Sequence, residues 1–540
     1  MPAWSLEQLN PEGFFKKYFN TITATIVCFL LALVNKTLIA WVYTSLIGDK
    51  SLYLLFAKQI VEGKHPLEPL GMLNGQLYYV YNPAITSPLY SLLAAPLLWL
   101  TKSYYAASFV IDIFSWIIFF TGLYHFAVMA LKERWLANLL ILCTGFFLYP
   151  HELGSGPKDT FSIGCMCWIS VLLIDLFNQP NVRKIFLLSL SIIALGLMKF
   201  LYTPLCLLFL LLLWIGVIKR KSRQHFLSAI TVTVICIAAF IAFYSYLQFL
   251  QNLHPHHNVD AVSTVASIEK GFYPKNMEQT FPFISSALLN VNFWCVQLSD
   301  IFSVPFQTIG RSFQLVDLML LIPVIFFLIQ VIKKERPGYV WLIGAFISSA
   351  ILFMLFYMSL AHEVIYIHFG NNWTYVQESR SYFFIIVFLQ ALLFYFIFRS
   401  GFFAAVKNLL FLLFIIECLH GFYFTSKQML HQFEIRADNN AVERTVDFLR
   451  SANESASFAY LSTPDPHLRY YAQLHHIPVA VFSSNTCKTL AGSMEQPLIV
   501  ALYSNSSFDT DSCSTGKTLV ATDAIEPFEL RLYMDQNHTR

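Results

Sequence analysis

Apolar stretches of membrane-spanning length recur along most of this chain and constrain its fold more than any other feature. A transmembrane helix needs about 20 consecutive apolar residues, with about 17 as the lower limit. The candidate segments are 20–46, 86–101, 105–130, 135–150, 161–177, 185–199, 200–218, 226–250, 316–332, 339–360, 382–398 and 403–425. Such a chain must place most of its surface against lipid or other membrane helices.

Composition agrees with this class. Hydrophobic residues make up 56% of the 540 residues and charged residues only 12%, whereas soluble domains average about 25% charged residues. The net charge of +3 is small and its basic residues lie in separate short loops, so nucleic acid is not an expected partner. The first apolar run is too long for the core of a signal peptide and predicts a retained membrane helix.

The basic residues predict which segments cross. Fourteen lysines and arginines flank the apolar runs, and all fall on one side if segment 86–101 lies in the interface instead of crossing. Cytoplasmic loops carry an excess of Lys and Arg, which favours this arrangement. The expected fold is a polytopic α-helical membrane protein of about 11 transmembrane helices. Its extracytoplasmic parts are the loops 46–104, 151–160, 251–315 and 361–381 and the tail after residue 425.

The tail has a different composition. Charged residues return from residue 426, and five short runs have the pattern of strands: FAYLS, PVAVF, PLIVALY, TLVAT and FELRLYM. They predict a small extracytoplasmic α/β domain, 426–540, beside a transmembrane domain, 1–425. Cys487 and Cys513 are the cysteines of this tail. In an oxidising compartment they are expected to form a disulfide, with two separate reduced thiols as the alternative.

The first outer loop carries the most informative polar pattern. Asp49 follows the first apolar run, Tyr53 lies one helical turn later, and Gly63 and Pro66 end the helix before a Pro-rich return to apolar sequence. A charge held at the membrane surface is costly and is usually retained for function. The pattern resembles the catalytic first loop of GT-C glycosyltransferases, of the protein mannosyltransferase and aminoarabinose transferase type.

Other outer segments contain groups that suit a phosphate or an acceptor. The loop HELGSGPKDTFS offers Lys158 and Asp159, and GLMKFLYTP places Lys199 in a turn between two short apolar runs. Arg380 and Tyr382 precede a Phe-rich run, and an Arg can donate two parallel hydrogen bonds to a phosphate. Each site also has a structural interpretation, such as a helix start, snorkelling to the interface or headgroup anchoring.

The resemblance implies an inverting transfer of a hexose or pentose from a polyprenyl-phosphate carrier at the extracytoplasmic face. It assigns Asp49 as general base on the acceptor hydroxyl, with Asp159 as a second catalytic carboxylate. The phosphate-binding and substrate-binding candidates are Lys199, Arg380, Lys158, Tyr382, Arg311 and Tyr53. Many relatives have a second carboxylate after the first-loop Asp, whereas Lys50 follows here, which argues against a metal site in this loop. The expected cofactor is none, with a divalent metal ion as the alternative.

The implied partners are a polyprenyl-phosphate-linked sugar, membrane lipids, and an acceptor that is a lipid-linked molecule, a glycan or a protein. The expected location is a bacterial inner membrane with a periplasmic site, or the endoplasmic reticulum membrane with a lumenal site. Two alternatives remain open. A transporter or flippase would use the intramembrane residues Lys36, Asp112 and Glu417, and a cell-envelope polymerase or ligase would depend on His or Arg in the later outer loops.

Overall fold

Apolar helices dominate the computed structural model of the chain. The structure describes residues 16–43, 49–66, 68–73, 76–80, 88–148, 157–199, 202–252, 283–289, 291–305, 308–319 with single-residue gaps, 386–391, 393–394, 404–430, 458–462, 479–480, 498–504, 517–525 and 528–535. The helices are α1 (Ile22–Tyr43), α2 (Asp49–Val61), α3 (Pro88–Thr101), α4 (Tyr104–Leu131), α5 (Arg134–Phe146), α6 (Pro157–Asn178), α7 (Val182–Met198), α8 (Thr203–Arg220), α9 (Arg223–Asn252), α10 (Phe283–Leu288), α11 (Val291–Phe302) and α12 (Ala404–Leu430).

Five of the described helices are long and apolar enough to cross a membrane, within Ile22–Trp41, Tyr104–Leu131, Asp159–Asn178, Arg223–Leu250 and Asn408–Lys427. The prediction of a polytopic helical membrane protein is confirmed in these segments. The predicted segments 316–332 and 339–360 lie wholly or mostly outside the described residues, so the total of about 11 crossings stays a prediction. Helix α3 has 14 residues and is about 21 Å long. That is short for a hydrocarbon core of about 30 Å, but α5, in a segment predicted to cross, has only 13 residues. Helix length therefore does not separate the two segments, and the interfacial placement of 86–101 stays a prediction.

The chain divides into two compact units. One comprises Met1–Trp41, Asp112–Ile241 and Val262–Met429, and the other comprises Val42–Ile111, Ala242–Ala261 and Leu430–Arg540. The first unit holds most of the long helices. The second contains α2, α3 and all described strands.

A five-stranded mixed sheet forms in the tail, and all five predicted strands are present. They are β3 (Phe458–Ser462), β4 (Val479–Ala480), β5 (Leu498–Ser504), β6 (Lys517–Ile525) and β7 (Phe528–Asp535). The order is β4-β3-β5-β7-β6. Strand β3 runs parallel to β4 and β5, whereas β7 pairs antiparallel with β5 and β6.

A β-hairpin in the first outer loop was not predicted. Strands β1 (Glu68–Leu73) and β2 (Gln76–Val80) pair antiparallel, with Leu73 opposite Gln76. Two residues, Asn74 and Gly75, connect them, and Asn-Gly between strands is a strong hairpin signal because both residues tolerate positive φ. The sequence therefore contained this signal, although Pro66 and Pro69 favoured an irregular return.

Within the first unit, α1 and α12 hold the C-terminal end of α5. The Asn35 amide donates to the Gly145 carbonyl at 2.9 Å, and the Lys36 ammonium donates to the Phe147 carbonyl at 2.6 Å. Lys36 is 1% exposed and also lies 5.0 Å from the centre of the Trp116 ring. The last carbonyls of a helix lack intrahelical donors and carry partial negative charge. Asn35 and Lys36 therefore cap α5 inside the apolar bundle.

Helix α12 approaches the same end closely. The Cys418 thiol donates to the Cys143 carbonyl at 3.4 Å. A Cβ at Gly421 would lie 1.8 Å from the Phe146 carbonyl oxygen, so only glycine permits this approach.

We expect Lys36→Met to lower the free energy of unfolding by about 1–3 kcal/mol, because it leaves a buried carbonyl without its donor. Thermal unfolding of the purified protein in detergent measures this. Lys17→Met, which changes an exposed lysine before α1, is the control and should have little effect. Unchanged stability of Lys36→Met together with lost activity would contradict the capping role.

Candidate functional site

Three helix ends meet at one end of the first unit. Helices α6, α7 and α8 run alternately up and down, so the start of α6, the end of α7 and the start of α8 lie together. The link between α7 and α8 is short, and the Tyr202 amide donates to the Lys199 carbonyl at 2.9 Å. Lys199 has extended backbone as the C-cap of α7, and Tyr202 is the N-cap of α8. Pro204 follows in the first turn of α8, where its missing N–H costs no helical hydrogen bond.

This turn brings two predicted site residues into contact. The Lys199 ammonium lies 2.7 Å from Oδ1 of Asp159. The Tyr202 hydroxyl donates to the same oxygen at 3.0 Å, and the Lys199 ammonium lies 5.2 Å from the centre of the Tyr202 ring. The sequence predicted that segments 151–160 and 199–204 face one side of the membrane, and this contact agrees with their sharing one end of the bundle. We call Asp159, Lys199 and Tyr202 the triad.

The triad is charged but well removed from water. Asp159 and Tyr202 are 0% exposed and the Lys199 side chain is 11% exposed. Asp159 lies in the first turn of α6, where the positive end of the helix dipole stabilises a carboxylate. Removing two charges from water costs several kcal/mol per ion, which good geometry and additional hydrogen bonds must offset. The arrangement holds a partly accessible cation in one position, where it can stabilise negative charge that develops on a bound group.

The first outer loop forms the predicted helix. Asp49 is the first residue of α2 and Tyr53 lies one turn later. At the other end, the Lys64 amide donates to Gln59 and the Gly63 amide to Ile60. This pair of bonds is a Schellman motif, and Gly63 occupies its left-handed position with φ 70°. The predicted end of the helix at Gly63 is confirmed. At the start of the helix, the structure describes only the backbone of Asp49.

Helix α2 is buried over most of its length within the second unit. Tyr53 is 0% exposed, and its ring centre is 5.1 Å from that of Tyr90 on α3. Lys50 and Lys58 are 3% and 8% exposed. Burial lowers the pKa of Lys58 to about 8, although the nearby Glu62 carboxylate acts in the opposite direction. A helix fixed in this way holds its first residue, Asp49, in a defined backbone position.

The remaining predicted site residues are not placed. Lys158 is the second residue of α6, and the structure describes only its backbone. Arg311, Arg380, Tyr382, Cys487 and Cys513 lie outside the described residues, and so the predicted disulfide stays a prediction. Within the described residues, no three His, Cys, Asp or Glu side chains form a group that could hold a metal ion.

Tyr202 was not predicted as a site residue. It lies three positions after Lys199 in the same segment, GLMKFLYTP, and its proximity to Lys199 was a usable signal. Its contact with Asp159 depends on the packing of α6 against the α7–α8 turn, which the sequence pattern does not specify.

Comparisons by sequence give no relative, since no family model and no curated protein matches the chain. By backbone fold, the chain is similar to solved structures. ArnT from Cupriavidus metallidurans bound to undecaprenyl phosphate is 12% identical, with a TM-score of 0.49, and the match covers 95% of this chain and 98% of ArnT. For the apo state of the same protein, identity is 13% and the TM-score is 0.40, with 95% and 97% covered.

A third similar structure is the oligosaccharyltransferase AglB from Archaeoglobus fulgidus, in complex with an inhibitory peptide and a dolichol-phosphate. It is 11% identical, with a TM-score of 0.43, and the match covers 90% of this chain and 70% of AglB. At these identities the role of each residue is argued from its own contacts.

Proposed function

We propose that this protein is a membrane glycosyltransferase that moves a sugar from a polyprenyl-phosphate carrier to an acceptor at the extracytoplasmic face. The triad carries the proposal, because it fixes a cation at the end of an apolar helix bundle. The phosphate of a polyprenyl carrier can approach an end of such a bundle while its isoprenoid chain stays in lipid. Lys199 is then placed to neutralise the charge that develops on the departing phosphate.

The proposed reaction is a single inverting displacement. The acceptor hydroxyl oxygen attacks the anomeric carbon and transfers its proton to the Asp49 carboxylate, while the bond from the anomeric carbon to the phosphate oxygen breaks and polyprenyl phosphate leaves. General-base assistance contributes about 10²–10⁴ in rate. Asp49 is supported by its position at the start of the capped helix α2.

The roles of the other candidates follow from the same chemistry. Arg380 and Lys158 are proposed as further cations for the phosphate, and Arg311, Tyr382 and Tyr53 as substrate contacts. Because the carboxylate of Asp159 pairs with Lys199, we assign it a positioning role ahead of a role as second base. The acceptor is a lipid-linked molecule, a glycan or a protein, and the site is periplasmic in a bacterium or lumenal in the endoplasmic reticulum.

Proteoliposomes containing the purified protein test this proposal. Sugar-loaded undecaprenyl phosphate and dolichyl phosphate are supplied with lipid, glycan and peptide acceptors, and release of the free carrier is measured by mass spectrometry. Acceptor-dependent release that Asp49→Asn abolishes is the expected result. Release that Asp49→Asn leaves intact would contradict it.

The contacts of two intramembrane residues weigh against a transporter or flippase. Lys36 caps α5, and Glu417 accepts a hydrogen bond from the Trp294 indole at 2.6 Å. Both residues therefore hold helices together, which explains their burial without a transported ion. Asp112, which is 5% exposed, is the remaining candidate, and a transporter would lose function in Asp112→Asn but keep it in Asp49→Asn. A cell-envelope polymerase or ligase would instead lose activity on substitution of His or Arg in loops 251–315 or 361–381.

Tyr202 is proposed as a positioning residue for Lys199. We expect Tyr202→Phe to lower kcat for transfer about tenfold with an unchanged KM for the donor, because the ring under Lys199 remains while the hydrogen bond to a carboxylate is lost. Steady-state kinetics in proteoliposomes measure both constants. A purely structural role would lower the unfolding temperature and leave the kcat of the folded fraction unchanged, which would contradict the assignment.

A further inference from the structure

Three helix–helix turns lie at one end of the first unit. Helices α4 and α6 are parallel, because Phe114 contacts Phe161 and, further along both helices, His125 contacts Trp168, with ring centres 6.1 and 5.0 Å apart. The end of α4 therefore lies on the same side as the end of α6. This places the α4–α5 turn beside the α6–α7 turn.

Direct contacts join the α8–α9 turn to the same end. The Gln224 amide donates to the Pro180 carbonyl at 3.2 Å, and Nε2 of His225 lies 3.0 Å from the Phe177 carbonyl oxygen. All three turns thus form one surface, opposite the end that contains the triad.

This surface carries positive charge almost exclusively. Its exposed cations are Lys132, Arg134, Arg183, Arg220, Lys221 and Arg223. Within the turn segments 131–134, 178–184 and 219–225 the sequence has a single carboxylate, Glu133, and this group accepts a hydrogen bond from the Trp135 indole. We call these six cations the basic face.

Two lysines of the basic face have unfavourable backbone conformations. Lys132 and Lys221 follow the last residues of α4 and α8 with φ of 58° and 50°, and their amides donate to the carbonyls of Val128 and Val217. This left-handed position at a helix end usually belongs to glycine, because a Cβ there costs free energy. The chain has lysine at both positions, so glycine can replace each of these cations without backbone strain.

Apolar side chains lie directly below the cations. Val182, Phe186, Ile218, Phe226 and Leu227 are between 49% and 82% exposed, and each lies within a few residues of a basic residue. An apolar band bordered by cations has the arrangement of a protein surface at the level of lipid headgroups.

We propose that the basic face binds the headgroups of anionic phospholipids, apart from any substrate carrier. The lipid phosphates match the cations, and the acyl chains match the exposed apolar residues. Each Lys or Arg near an anionic membrane surface strengthens binding about fivefold. The attraction falls as salt shortens the Debye length from about 10 Å at 0.1 M to about 3 Å at 1 M. This proposal does not depend on the proposed enzymatic function.

Thermal unfolding of the full chain in detergent, with added phosphatidylglycerol or phosphatidylcholine, tests the proposal. We expect phosphatidylglycerol to raise the Tm of the wild type more than phosphatidylcholine does. In Lys132→Gly/Lys221→Gly the Tm without anionic lipid should equal or exceed that of the wild type, because glycine relieves the left-handed strain. The additional increase with phosphatidylglycerol should be at least halved, with lipid binding about thirtyfold weaker by native mass spectrometry.

Lys102→Gly is the matched control, since Lys102 follows α3 with φ 53° and belongs to the other unit. It should retain the full response to phosphatidylglycerol. Inorganic phosphate at equal ionic strength should not reproduce the effect. The proposal would be overturned if the double glycine variant kept the full Tm increase with phosphatidylglycerol, or if phosphatidylcholine raised the Tm of the wild type equally. It would also be overturned if inorganic phosphate alone produced the same Tm increase.

Discussion

Asp49→Asn is expected to reduce glycosyl transfer by about 10²–10⁴, the usual contribution of a general base, while the protein remains folded and abundant in the membrane. Asn is nearly isosteric with Asp and can still accept a hydrogen bond at the start of α2, so the helix should form as before. An amide cannot take up the acceptor proton. Carrier release in proteoliposomes gives the rate, and unfolding temperature reports the fold.

Two further measurements locate the effect of Asp49. Binding of the sugar-loaded carrier should remain near that of the wild type, because the carboxylate acts on the acceptor. Asp112→Asn is the control, as it removes a buried carboxylate without touching the proposed base. Transfer by Asp49→Asn within about tenfold of the wild type would be too fast for the loss of a general base worth about 10²–10⁴. Asp159 would then be the next candidate for the base.

Variants of the Asp159–Lys199 ion pair should distinguish its contribution to stability from its contribution to catalysis. Asp159→Asn and Lys199→Gln each leave one buried charge without its counter-ion, and each is expected to lower the free energy of unfolding by about 3 kcal/mol. The double variant removes both charges and should recover most of that stability. Thermal unfolding in detergent measures the three values, and the double-mutant cycle gives the coupling.

Transfer should respond differently from stability. Lys199→Gln and the double variant should both remain about 10²–10³ below the wild type in kcat, because neither supplies a cation for the departing phosphate. If the double variant regained activity along with stability, the ion pair would be a structural element only. The phosphate would then depend on Arg380 or Lys158.

Much of the fold followed from the sequence because its determinants are local. Apolar length predicts helices, and Gly63 and Pro66 mark the end of α2 whatever packs around it. Five short runs with the composition of strands predicted all five strands of the tail. The Asn74-Gly75 hairpin signal was also local, although the prolines beside it pointed to an irregular segment.

The contacts that give polar residues their roles were decided by tertiary structure. Lys36 was grouped with Asp112 and Glu417 as a transport residue, but the packing of α1 against the end of α5 gives it a carbonyl to cap. Asp159 and Lys199 are 40 residues apart in sequence. Only the antiparallel packing of α6 and α7, which puts the start of α6 beside the end of α7, brings them within 2.7 Å of each other. Short-range sequence patterns specify helices and turns, whereas the pairing of two charges depends on how separate helices pack. For that reason only the tertiary structure identified the contacts of the triad.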